Sequence, residues 1–223
     1  MSRPELDLSV YLVTDTRMCG GTDAVVATTR QAARSGVTLV QLRDHQLPDD
    51  DFVTLGRQLV HALAGTGVPL LVDDRVHLVA PIGAQGAHVG QSDLGIAEAR
   101  RILGPDAILG LTVQTREQLA AARALGPGLI DYLGVGALHP TGTKPETGEI
   151  GLARIASLIE VSPWPICAIG GVKAADAPDL AGIGCAGMSV VSAICGQPDA
   201  AAATRILKDA WTDATAPLAG TLR

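Results

Sequence analysis

Eight short runs rich in branched apolar residues recur along the chain, each followed by a polar or glycine turn and then an amphipathic stretch rich in Ala and Leu. This alternation constrains the fold more than any other feature, because strand–helix repeats require a parallel sheet with right-handed crossovers. Strand candidates lie at 11–14 (YLVT), 39–43 (LVQLR), 69–72 (PLLV), 86–89, 107–111 (AILGL), 129–135 (LIDYLGV), 165–169 (PICAI) and 187–191 (GMSVV). Helix candidates lie at 23–35, 49–64, 76–80, 95–103, 152–160, 174–180 and 199–211. A further helix opens with Thr115 and Gln118 in capping-box spacing and stops at Gly126-Pro127. Phe52, Leu55, Leu59 and Leu63 mark the buried face of the second helix. Eight such units closing on themselves predict an α/β fold, a single (β/α)8 TIM barrel. One domain is expected over 1–223, with a flexible tail at 212–223. The alternative, an open doubly wound sheet, lacks the GxGxxG turn after its first strand.

Composition agrees with that architecture. Hydrophobic residues reach 47% while aromatics are only 2%, so Val, Leu, Ile and Ala must fill the core, as suits a parallel sheet covered by helices. Seventeen Lys and Arg against 23 Asp and Glu leave a net charge of −6. That balance offers no basic surface to replace counterions along a nucleic acid. A small anion needs only a local positive pocket. No apolar run is long enough to span a bilayer, and the N-terminus MSRPELDLSV is too acidic for a secretory signal. Cys19, Cys167, Cys185 and Cys195 carry no zinc or CxxC spacing and read as free thiols without a base partner. The expectation is a cytoplasmic enzyme of small phosphorylated substrates, with no nucleic-acid or membrane partner and a homo-oligomer left open.

In a barrel of this kind chemistry sits at the C-terminal ends of the strands. The polar residues falling there are Gln41, Arg43, Asp44 and His45; Asp73, Asp74 and Arg75; His88, Gln91 and Asp93; Thr112 and Gln114; then HPTGTK, 139–144. Asp74 and Asp93 follow adjacent strands, so their carboxylates can converge on one ion, and hard oxygen donors suit Mg2+ shared with a diphosphate. The competing reading makes Asp73, Asp74 and Asp93 helix caps. Gly170-Gly171 after strand seven and Val191-Ser192 after strand eight can form a phosphate site from backbone N–H groups, or simply a tight turn. Thr141, Gly142, Thr143 and Lys144 can fold over an anion or form an exposed turn. His88 reads as an acid–base group or a hydrogen-bonded structural histidine. Together these residues imply one metal-held diphosphate pocket and one separate monophosphate pocket.

The ordered motifs QLRDH, LLVDDRVHLV, GAHVGQSDL, GLTVQT, LGVGALHPTGTK, AIGGV and GMSVVSAI resemble the thiamine-phosphate synthase family over about 11–197. The resemblance implies a (β/α)8 barrel that joins a hydroxymethylpyrimidine diphosphate to a thiazole phosphate, releasing pyrophosphate. It implies that Gln41, Arg43 and His45, with Asp73, lie where the pyrimidine diphosphate is held. It also implies that Asp74 and Asp93 bind Mg2+, and that Thr141, Gly142, Thr143, Gly171, Val191 and Ser192 hold the thiazole phosphate. Lys144 then contacts pyrophosphate, and Arg43, Thr112 and Lys144 are the expected catalytic positions. The mechanism implied is dissociative: pyrophosphate departs and the thiazole nitrogen attacks the remaining pyrimidinylmethyl cation. The chain departs from the family pattern at His45 (often lysine), Asp73 (usually asparagine), Thr112 (typically serine) and Gln114 (often histidine). Two other readings of the same fold are a thiazole tautomerase-like relative, which lacks the TxTK loop kept here, and a weakly active sensor of phosphorylated precursors.

Overall fold

The computed structural model describes residues 6–140 and 150–217. Eight parallel strands close into one ring in chain order. They are β1 (Val10–Val13), β2 (Leu39–Leu42), β3 (Leu70–Asp73), β4 (Gly86–Val89), β5 (Ile108–Thr112), β6 (Tyr132–Val135), β7 (Ile166–Ala168) and β8 (Gly187–Val190). The ring closes where Tyr11 faces Ser189 and Leu12 faces Val190. The (β/α)8 barrel expected from the alternation is the fold observed.

Helices occupy the outside: α1 (Thr16–Cys19), α2 (Thr22–Ala33), α3 (Asp49–Leu63), α4 (Val79–Ile82), α5 (Ile96–Leu103), α6 (Arg116–Ala124), α7 (Gly151–Ile159), α8 (Ala177–Gly182) and α9 (Ala200–Thr215). Two 3-10 turns, Val76–Leu78 and Ala174–Asp176, precede α4 and α8. The capping box expected at Thr115 is present, with Thr115 Oγ1 accepting from the Gln118 N–H at 3.2 Å and Gln118 Oε1 accepting from the Thr115 N–H at 3.3 Å. Helix α1 left no mark in the sequence pattern. A single turn shows no periodicity, and what starts it is the Asp15 carboxylate accepting from the Met18 N–H at 2.7 Å. Helix α9 runs on to Thr215, into the stretch expected to be a flexible tail at 212–223; residues 218–223 lie outside the described residues.

Alternation along each strand creates two cores. Outward residues such as Val10, Leu12, Val40, Leu42 and Leu70 pack against Val25, Phe52, Leu55 and Leu59 of the helices. Inward residues Tyr11, Val13, Leu39, Leu71, Ile108, Tyr132 and Cys167 fill the barrel itself. Each fully buried aliphatic side chain contributes about 1.5–3 kcal/mol. Near the strand N-termini, Gly86 and Gly187 let neighbouring backbones come close: an added Cβ would lie 1.9 Å from Ile108 O and 1.6 Å from Leu8 O. Buried Arg100 of α5 seals the lower edge by donating to the carbonyls of Gly104, Ala107 and Leu129 and to Asp131. The inward residues at the opposite ends of the strands are polar, and they form the site.

Candidate active site

The barrel mouth opens into a cavity of about 1010 Å3, counting its solvent-open part. Its wall includes Gln41, Arg43, Asp73, His88, Thr112, Gln114, Gly171, Val191 and Ser192. Strand register explains the gathering: Asp73 pairs with His88, and Thr112 with Gly134, so these residues project inward at similar heights.

On the β2–β3 side the electrostatics are concentrated in four residues. Arg43 Nε lies 3.5 Å from Asp73 Oδ2, with side chains only 13% and 9% exposed, so little solvent screens the pair. The more exposed His45 imidazole stands between two carboxylates, 3.9 Å from Asp73 Oδ2 and 4.0 Å from Asp74 Oδ2. One ligand atom each from His45, Asp73 and Asp74 falls within 4.8 Å of the others. Such a set, two carboxylates and one imidazole, fits a divalent cation that accepts oxygen and nitrogen donors. Asp74 has φ 56°, a left-handed conformation uncommon outside glycine and asparagine or aspartate, and this turn presents its side chain beside His45.

The helix-cap positions fall to other residues. The residues at the cap positions of the following 3-10 turn and of α5 are Arg75 and Gly95, and neither makes a side-chain cap bond. Asp93 instead folds back within its own loop, its Oδ2 accepting from the Gly90 N–H at 2.7 Å. The convergence on Asp74 therefore involves Asp73 and His45, whereas Asp93 occupies an exposed loop after β4.

The β7–β8 side is built of backbone. Gly170 and Gly171 both have left-handed φ, 88° and 70°. A Cβ at Gly170 would stand 2.5 Å from Ala137 Cβ, and one at Gly171 2.8 Å from His139 Cβ. His139 Nε2 pairs with Asp176 Oδ1 at 2.9 Å, holding the end of the β6 segment beside this turn. After β8 the N–H groups of Ile194 and Cys195 both bond to Val191 O, wrapping a turn around Ser192. Thr141, Gly142, Thr143 and Lys144 lie outside the described residues.

The floor of the cavity holds what the sequence did not disclose. Gln41 Nε2 donates to the Tyr11 hydroxyl. The Tyr11 and Tyr132 hydroxyls are 2.8 Å apart, Tyr132 OH is 2.9 Å from His88 Nδ1, and His88 Nε2 is 2.8 Å from Thr112 Oγ1. His88 is thus hydrogen-bonded at both nitrogens. Burial pushes the pKa of both phenols well above the tyrosine range, so both keep their protons. The available signal was scarcity: the chain has only two tyrosines, and both point into the barrel.

Among the thiols, burial pushes Cys167 and Cys185 up. Cys19, outside the cavity wall, is held down at about 7 by a hydrogen bond from Cys195, assisted by Thr28 and the Gly196 N–H. No helix among the described residues is long and apolar enough to cross a membrane.

A sequence model described as thiamine monophosphate synthase matches residues 10–194. A thiamine-phosphate synthase from Azorhizobium caulinodans is 45% identical over 203 residues, covering 91% of this chain and 94% of that protein. One from Desulfitobacterium hafniense (strain Y51) is 40% identical, covering 92% and 98%. The solved thiamine phosphate pyrophosphorylase from Pyrococcus furiosus superposes with a TM-score of 0.83 at 29% identity, covering 93% of this chain and 97% of that one. A 3-hexulose-6-phosphate synthase from Salmonella typhimurium, at TM-score 0.70 and 16% identity, shares the fold alone. With the matched segment running from β1 to the turn after β8, the chain belongs to the thiamine monophosphate synthase family.

Proposed function

We propose that this chain is a transferase of thiamine biosynthesis that couples hydroxymethylpyrimidine diphosphate to thiazole phosphate, giving thiamine phosphate and pyrophosphate. The observation that carries the reading is the division of one barrel mouth into a charged β2–β3 side and a backbone-lined β7–β8 side. Two anionic substrates can meet across such a mouth. In the dissociative route the methylene carbon–oxygen bond breaks, pyrophosphate leaves with the electron pair, and the thiazole nitrogen forms the new bond. That route needs charge stabilisation and alignment rather than a protein nucleophile.

In this reading Gln41, Arg43 and His45 engage the pyrimidine diphosphate, and Thr112 faces the reacting ring. Thr141, Gly142, Thr143, Gly171, Val191 and Ser192 hold the thiazole phosphate, and Lys144 neutralises departing pyrophosphate. Asp74 and Asp93 would hold Mg2+, Asp93 through the carboxylate oxygen that Gly90 does not engage. Bound Mg2+ supplies positive charge to the diphosphate. Purified protein given both substrates and Mg2+ is expected to release thiamine phosphate and pyrophosphate in equal amounts. Binding of both substrates without product would overturn the synthase reading in favour of a sensor. Rearrangement of the thiazole alone would favour a tautomerase.

Asp73 bears on the diphosphate through Arg43. Its carboxylate engages the guanidinium that an anion would use and adds its own negative charge. Asp73→Asn is expected to tighten pyrophosphate binding, measured by calorimetry without Mg2+, by about twofold to fivefold, the worth of one partly screened charge contact. Weaker binding would show that Asp73 holds Arg43 in its working position.

A further inference from the structure

We infer that Tyr11, Tyr132 and His88 are positioning residues, forming a one-way hydrogen-bond chain that fixes which groups Gln41 and Thr112 present to a ligand. The direction follows from counting protons. Gln41 directs its amide nitrogen at Tyr11, so the Tyr11 oxygen accepts there. The buried Tyr11 hydroxyl must then give its own hydrogen to an acceptor, and the oxygen beside it is Tyr132, at 2.8 Å. Tyr132 passes its hydrogen to His88 Nδ1 at 2.9 Å. An imidazole that accepts at Nδ1 carries its hydrogen on Nε2, which donates to Thr112 Oγ1 at 2.8 Å. Thr112 has received a hydrogen bond, and its own hydrogen is left to point into the cavity it lines.

The two ends of the chain are therefore complementary. Gln41 gives one amide N–H to Tyr11 and keeps a carbonyl oxygen as acceptor beside its second N–H; Thr112 keeps a donor. Reversing the chain requires turning the Gln41 amide over, because otherwise the Tyr11 hydrogen faces no acceptor in the buried interior. Burial keeps both phenols protonated, so neither leaves the chain by ionising. The rings have room only because β5 and β6 carry glycines there: a Cβ at Gly110 would lie 2.3 Å from Tyr132 Cζ and 2.5 Å from His88 Nδ1, and one at Gly134 3.1 Å from His88 Cε1.

A ligand that satisfies the Gln41 carbonyl and the Thr112 hydroxyl together offers a hydrogen-bond donor toward β2 and an acceptor toward β5. An amino-substituted aromatic heterocycle with an unprotonated ring nitrogen does so. A ring of the same size bearing carbonyls in their place leaves the Gln41 carbonyl without a donor. The identity of that ring rests on the coupling reading above; the polarity of the chain does not.

Nitrogen-15 NMR of the full chain with labelled histidine tests the polarity directly, the His88 signal being assigned by its loss in His88→Gln. The expected spectrum is a neutral imidazole protonated at Nε2, without ligand. In Tyr132→Phe the signal should move toward a mixture of tautomers, because the donor to Nδ1 is gone. With the aminopyrimidine alcohol as probe, Thr112→Val is expected to weaken binding about tenfold and Thr112→Ser to restore it. An Nδ1-protonated or doubly protonated His88 overturns the inference, as does parental probe binding by Thr112→Val. If the protein shows the Nε2-protonated signal and yet fails to couple the two substrates, the coupling reading falls and the polarity stands.

Discussion

Asp74→Asn is expected to fold as the parent does and to lose at least about 100-fold in kcat/KM, because in the proposed role its carboxylate would hold a cation that stabilises several kcal/mol of transition-state charge. Asparagine is the informative replacement. Asp74 sits at φ 56°, where asparagine is tolerated far better than alanine, so backbone strain does not confuse the reading. The amide removes the charge and leaves the shape, and His45 keeps a polar neighbour. Turnover should be measured against Mg2+ concentration, and Mn2+ binding followed by electron paramagnetic resonance in the same variant. Loss of both is the expected result. Parental turnover with the same metal dependence would remove Asp74 from the ion site.

Gly110→Ala is the second large effect, and it acts through packing. The added methyl would sit 2.3 and 2.4 Å from Tyr132 Cζ and Cε1 and 2.5 Å from His88 Nδ1, all well inside contact distance. Both rings lie in the barrel interior, Tyr132 fully buried and His88 nearly so, and hydrogen bonds to Tyr11 and Thr112 hold them there. Overpacking of this kind costs about 3 kcal/mol. For a chain of this size that lowers Tm by about 6–12 °C. Because the rings that must yield belong to the Gln41–Thr112 chain, turnover at a temperature where the variant is still folded should also fall. A variant with parental Tm and parental turnover would show that the interior has more room than these distances allow.

How much of this was legible in the sequence depended on whether the signal was local. The strand–helix rhythm, the Thr115 capping box and the clustering of polar residues after the strands are all written within a few neighbouring positions. The acidic residues after β3 were legible too, but not all of Asp74's company: the fold also sets Asp73 and His45 beside it. Of the hydrogen-bonded floor, His88 could be read as a hydrogen-bonded histidine, but its tyrosine partners could not. In a strand buried on both faces, inward and outward residues are equally apolar, so nothing in YLVT or LIDYLGV says that the tyrosines face one another across 121 positions. Only the register of eight strands brings them together.

That closed ring has a consequence for how the molecule comes apart. An open sheet can fray from its outermost strand, losing one row of hydrogen bonds at a time. Here β1 is zipped to β8 as well as to β2, so peeling away any strand breaks two rows at once and exposes the polar floor to water. The first and last strands are thus paired along both edges, as those in the middle are.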